Sequence, residues 1–181
     1  NGNEIKVEVS GKDREKVRVG QEGETLVLES IGRVQDREIT VSYPKKTEFE
    51  DVSLEVAAGT INLDDDFYAK KLKVSVAAGE FLNDGAVTAE KADISVGTGN
   101  VDLDNLNVQN LEADCGIGNI DLEINGKESD YDYEISCSAG EIDIGDSSYS
   151  GIGHEKKISN PGASGKMDLD CGVGNITVDF E

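Results

Sequence analysis

Three sets of residues in this chain have types and spacings that could do chemistry. Cys115, Cys137 and Cys171 occupy the same position of a recurring phrase. Thiols so placed can pair as a disulfide or bind a metal as thiolates. Asp102, Asp121 and Asp143 share another position of that phrase. Such carboxylates can hold Ca²⁺ through oxygen, or serve as the paired acids of polysaccharide cleavage. Tyr149 and His154, the sole histidine, lie in a Gly- and Ser-rich insertion and are candidate ligand-binding residues.

Each set has a plainer reading beside the chemical one. The cysteines stand where earlier repeats have Val56, Val76 and Val96, so they are expected to be small buried hydrophobes. Stacked strands sit about 4.8 Å apart, wider than the Cβ separation a disulfide prefers. No His lies in the phrase to complete a metal set. The aspartates are weak Ca²⁺ candidates. Gly97–Asp102 and Gly116–Asp121 superficially resemble a nonapeptide calcium roll, but the double glycine and nine-residue period are missing. The acids form a ladder rather than a cluster with Arg, Lys or His, and aromatics make up only 5% of the chain, few for stacking on sugars. Gly97-Thr-Gly99 is no phosphate loop, because no helix follows it. The expectation is a protein with no catalytic residues and no cofactor.

The phrase that positions these residues reads apolar–x–Val/Cys–x–x–Gly–x–apolar–x–apolar and occurs six times. Its first copy is Leu54-Glu-Val-Ala-Ala-Gly59-Thr-Ile61-Asn-Leu63, and its third is Ile94-Ser-Val-Gly-Thr-Gly99-Asn-Val101-Asp-Leu103. The key glycines are Gly59, Gly79, Gly99, Gly118, Gly140 and Gly174, spaced 20, 20, 19, 22 and 34 residues apart. A period near 20 with period-2 alternation inside it predicts a stacked β array of about six rungs over 51–181. Stacking in chain order puts Val56, Val76, Val96, Cys115, Cys137 and Cys171 in one inner column. Ile61, Phe81, Val101, Ile120, Ile142 and Ile176 form another. Asn100, Asn119 and Asn175 share the turn after the glycine, where an amide can donate to the next rung. The glycines are expected to take positive φ or let the corner close tightly.

Residues 1–50 lack the phrase. Alternating runs at 5–9, 17–19, 25–28 and 39–43, with turns at Ser10-Gly11, Gly20–Gly23 and Ile31-Gly32-Arg33, predict antiparallel hairpins ended by Pro44. An array needs a polar terminal unit over its first edge, and this segment is assigned that capping role. The polar run 125–130 is a short bulge. The insertion at about 145–166 is expected to project as a loop, packed over the last rung or binding a partner.

A net charge of −21 argues against nucleic-acid binding, which needs a basic surface. No run approaches the length of a membrane helix, so no direct membrane insertion is expected. A start at Asn1-Gly2-Asn3 without Met reads as a trimmed ectodomain or a mature secreted form, anchored by a segment outside it.

The run Val41-Ser-Tyr-Pro44, then Leu54–Ile61, then the Gly-x-Gly-Asn-Ile/Val repeats, resembles a bacterial adhesin family. That family is a domain of unknown function with β-helical repeats and a hairpin cap. The resemblance covers nearly the whole chain. It implies an all-β, single-stranded right-handed parallel β-solenoid with an N-terminal antiparallel cap, extracellular or on the cell envelope. It carries no active site. The expected role is adhesion or presentation, with a host or cell-surface protein or glycan as partner. An envelope sensor ectodomain is the alternative, and a carbohydrate-active enzyme comes third.

Overall fold

The computed structural model describes residues 4–32 and 36–181, without the side chains of residues 151, 152 and 154. Arg33, and the start at Asn1–Asn3, lie outside the described residues. The protein is all-β, with 76% of the described residues in strands. The only helical turns among the described residues are two three-residue 3₁₀ turns, Arg14–Lys16 and Glu128–Asp130. The chain forms two compact units, Asn1–Thr47 and Glu48–Glu181.

In the first unit, β2 (Val17–Glu22) and β3 (Thr25–Ser30) make an antiparallel hairpin. Gly23 turns it at φ +64°. β1 (Lys6–Ser10) pairs with β4 (Glu38–Ser42), also antiparallel. Thr47 closes the turn after β4, its N–H and its hydroxyl both donating to the Pro44 carbonyl.

The second unit holds β5 (Glu48–Val56), β6 (Gly59–Leu63), β7 (Phe67–Asn83), β8 (Val87–Ile124), β9 (Tyr131–Ile144), β10 (Ser147–Ile158) and β11 (Gly165–Phe180). They form one long sheet in the order β10-β9-β11-β8-β7-β5, with β6 also on β7. All pairings are parallel except β10 on β9. The register follows the sequence period. Leu54 pairs with Val74 and Val74 with Ile94, while Ile61 pairs with Phe81 and Phe81 with Val101. β8 carries repeats three and four, joined across the turn by Asn119 Nδ2 donating to Asn100 Oδ1 at 3.3 Å.

The last two repeats do not stack in chain order. β11, the sixth repeat, lies between the fourth and the fifth. Gly174 pairs with Gly118 on one side, and Cys171 pairs with both Cys115 and Cys137. The close approach of the corner glycines records the same order. Over the first four rungs it runs with the chain: Gly79 pairs with Gly59 and with Gly99. A Cβ on Gly79 would collide with the Gly59 carbonyl oxygen, one on Gly99 with that of Gly79, and one on Gly118 with that of Gly99. Then the order departs from the chain. A Cβ on Gly174 would collide with the Gly118 carbonyl oxygen, and one on Gly140 with that of Gly174. The columns are therefore Val76–Val96–Cys115–Cys171–Cys137 and Phe81–Val101–Ile120–Ile176–Ile142. This corrects the chain-order expectation. The chain leaves β8, runs β9 at a distance of one rung, turns back through β10, and fills the gap with β11.

The expected positive φ holds at only some of the corners. Gly59 has φ +140°, Gly79 +151°, Gly118 +152° and Gly174 +151°, whereas Gly99 and Gly140 are not among the positive-φ glycines. Gly59, on the first rung, meets nothing within 4 Å of a built Cβ. At the other five corners the closing contact with the rung below is what excludes a side chain.

Alternation explains the core. Along β7 and β8, Leu72, Val74, Val76, Ile94, Val101 and Leu103 are buried while their neighbours face out. Each such side chain contributes about 1.5–3 kcal/mol on burial. Asn83 is the one buried polar residue among those described. Its amide donates to the Asp104 carbonyl at 2.7 Å and its oxygen accepts from the Asp104 N–H at 2.8 Å, tying rung two to rung three. No buried side-chain nitrogen or oxygen among the described residues lacks a partner.

Candidate functional site

The change of order redistributes the candidate residues. Asp102 and Asp121 line one face, but Asp143 does not follow them. Thr177 stands between, paired with Asp121 on one side and with Asp143 on the other. The expected three-carboxylate ladder is thus interrupted by a hydroxyl. What gathers instead is a trough of about 240 Å³ lined by Asp102, Asp104, Asp121, Glu123, Thr177 and Asp179. Partial burial, then the charges of Asp104 and Asp121, raise the Asp102 pKa above its ordinary 3.8. Glu123 is raised by a hydrogen bond shared with Glu181. Like charges at this spacing favour retained protons or bound cations. Among the described residues no group of three or more His, Cys, Asp and Glu side chains is arranged to hold a metal ion.

The asparagine column is continuous because β11 lies beside β8. Asn175 pairs with Asn119, and beyond it stands Glu141. The thiols are free and buried. Cys171 sits between the other two, and burial, then the neighbouring Cys115 and Cys137, push its pKa up to about 12. Burial likewise raises Cys115. Cys115 and Cys171 each donate Sγ–H to a corner carbonyl, those of Gly118 and Gly174, at 3.1 Å. A thiol protonated and buried in this way is a poor nucleophile and a poor metal ligand.

The segment expected to project as a loop is mostly strand. β10 runs antiparallel along β9, placing Tyr149 opposite Ile142 and the backbone of His154 opposite Cys137. Tyr149 takes the Lys156 ammonium over its ring at 4.5 Å. The His154 side chain lies outside the described residues. The two candidate ligand residues thus belong to the last strand of the sheet.

A third feature escaped the sequence reading. β11 begins its pairing with β8 only at Lys166, opposite Asn110, so residues 105–109 have no β11 partner. The gap is a cleft of about 310 Å³ whose lining includes Asn107, Gln109, Asn125, Asp130, Tyr131 and Ser164. Its floor is a buried tyrosine. The Tyr131 hydroxyl donates to the Val108 carbonyl at 2.7 Å, and its ring packs against Phe180 with centroids 6.2 Å apart. Burial raises the Tyr131 pKa, so it remains a donor. Gln109 Nε2 donates to the Ser164 carbonyl at 3.3 Å across the cleft. Amides, hydroxyls and one carboxylate suit hydrogen bonding to a neutral, hydroxyl-rich ligand. The one trace of the cleft in the sequence is the polar bulge at 125–130, which supplies Asn125 and Asp130 to the lining.

The Toastrack DUF4097 family model matches residues 1–179. No curated protein and no solved structure matches. No helix among the described residues is long and apolar enough to cross a membrane.

Proposed function

We propose, for a chain that belongs to the Toastrack DUF4097 family, a non-enzymatic role as a recognition scaffold on the outside of a bacterial cell. The long sheet is read as a right-handed parallel β-solenoid, preceded in the chain by the antiparallel strands of residues 1–47. Its work is to hold binding groups at fixed spacing. The cleft beside Tyr131 is the observation that carries this reading. It is built where residues 105–109 have no β11 partner, over the buried Tyr131, and its side-chain amides point to a neutral glycan or a polar peptide as ligand. Adhesion or presentation at the envelope is the role proposed for that surface, and the acidic, polyanion-repelling composition is compatible with a protein or neutral glycan as partner.

A glycan array and a surface-protein pull-down, run with the intact chain and with Asn107→Ala/Gln109→Ala, test it. The expected result is specific capture by the native chain and loss with the double variant, the melting temperature being retained. Capture unaffected by the substitutions would remove the cleft from the account. Turnover of a polysaccharide would overturn the non-enzymatic role.

A further inference from the structure

We propose that the chain forms a two-fold dimer by pairing β10 with β10 of a second copy, so that the sheet runs unbroken through both molecules. β10 is the terminal strand of the sheet order and pairs on one side only, with β9. Its outer backbone groups form a ready template for another strand.

Three observations select a second copy as the occupant. The first is charge. In a chain of net charge −21, residues 147–158 carry one carboxylate, Glu155, against two ammoniums, Lys156 and Lys157, leaving +1 with His154 neutral. This edge therefore carries none of the net negative charge of the chain as a whole, which eases the approach of a second acidic molecule.

The second is the pattern of faces. Residues directly opposite in a ladder point to the same side. Ser147, Tyr149, Lys156 and Ile158 lie opposite Ile144, Ile142, Ile135 and Tyr133, all buried. These four positions are symmetric about the peptide bond between 152 and 153. An antiparallel pairing centred there sets Tyr149 against the partner copy's Lys156 position and Ser147 against its Ile158 position. Every inward position then meets an inward position. The cation–π contact now made within one strand at 4.5 Å would be repeated across the interface.

The third is the bend. Gly151 pairs with the corner Gly140, and Gly153 has φ +67°. The corner of β10 therefore lies at its midpoint, and the same axis superposes the corners of both copies. A register shifted by one residue loses the match of faces, and a shift of two displaces the corners.

An interface of one strand per copy belongs to the small, transient class, so dimers are expected near ~100 µM protein. Sedimentation equilibrium of the intact chain over about 10–200 µM should show the mass rising from 19.3 kDa towards twice that value, and rising further with added salt as repulsion is screened. Ser150→Cys/Glu155→Cys tests the register, since position 150 faces position 155 of the partner copy. Oxidised glutathione should convert it to a covalent dimer, the native thiols being buried. Ser150→Cys/Lys157→Cys should not cross-link. Lys156→Glu, at an exposed position, should lower the dimer fraction about tenfold with an unchanged circular dichroism spectrum. A constant 19.3 kDa mass at every concentration, or equal cross-linking by both cysteine pairs, would overturn the proposal.

Discussion

Residues 1–47 and 48–181 are written in the same alternating style, yet only the second unit builds a core. Every buried apolar side chain among the described residues lies between Phe67 and Val178. Among the described residues the first unit buries none, and Ile5, Val19, Leu26 and Ile31 are exposed there. Alternation supplies an apolar face, but burial requires neighbours. β1–β4 and β2–β3 are two-stranded ladders, the marginal case. β7, β8 and β11 have a strand on both sides and a column above and below each inward residue. Stability in this protein is therefore a property of the stack.

The largest effect expected of a single substitution falls on the corners. Gly118→Ala places a Cβ against the Gly99 carbonyl oxygen at φ +152° and should cost about 3 kcal/mol or more, or abolish folding. Gly23→Ala in the first unit, at φ +64° with open space around it, should cost about 1 kcal/mol. Urea unfolding of both variants measures the contrast, and equal costs would break it.

Next comes the core. Ile120→Ala, fully buried, should lose about 2–5 kcal/mol, whereas Val19→Ala, half exposed, should stay within about 0.5 kcal/mol. Tyr131→Phe should cost about 1–2 kcal/mol by leaving the buried Val108 carbonyl without its donor. At the small end, Ile117→Thr, 57% exposed, should shift stability by no more than about 0.5 kcal/mol.

Acid sharpens the comparison by titrating the stack. Asp102 and Asp114 have pKa values raised above 3.8, by burial first and by neighbouring carboxylates second. Their folded forms hold protons more tightly than the unfolded chain does. Stability should therefore rise as pH falls through these raised values and level off below 3.8. Glu134 has the opposite sign. Hydrogen bonds from Lys157 and Lys166 lower it below 4.5, so its contribution is present above that value and is lost as pH falls through its lowered pKa. The melting temperature should climb as pH falls from 7 towards 3.8, and fall in stronger acid as the Glu134 contribution is lost. A steady decline from pH 7 downward would contradict this assignment.

The repeat phrase made the in-register columns legible, because period-2 alternation and a glycine at each corner leave few other arrangements. The strand order was written there too, but in finer detail. Repeats four and six share Cys-Gly-x-Gly-Asn-Ile, at Cys115–Ile120 and Cys171–Ile176. Repeat five reads Ser138-Ala-Gly-Glu141, close to Ala77-Ala-Gly-Glu80 of repeat two. The first glycine of such a pair packs closely on the rung beside it. A Cβ on Gly172 would crowd the Gly116 carbonyl at 2.8 Å. Ser138, on the rung flanked by the antiparallel β10, stands where those rungs have Gly116 and Gly172. The polar bulge at 125–130 did not by itself make the Tyr131 cleft legible, because the cleft arises from where β11 begins to pair with β8 rather than from a motif. Asn83 was equally hidden, since its role depends on Asp104, a rung away.

The position of the sixth repeat between the fourth and the fifth is the claim on which the columns, the thiol order and the cleft all depend. Inter-strand nuclear Overhauser contacts of an isotope-labelled sample test it directly. Thr177 should show backbone contacts to both Asp121 and Asp143, with none between Asp121 and Asp143. Direct contacts between Asp121 and Asp143, with Thr177 touching only Asp143, would restore the chain-order stack and contradict the account.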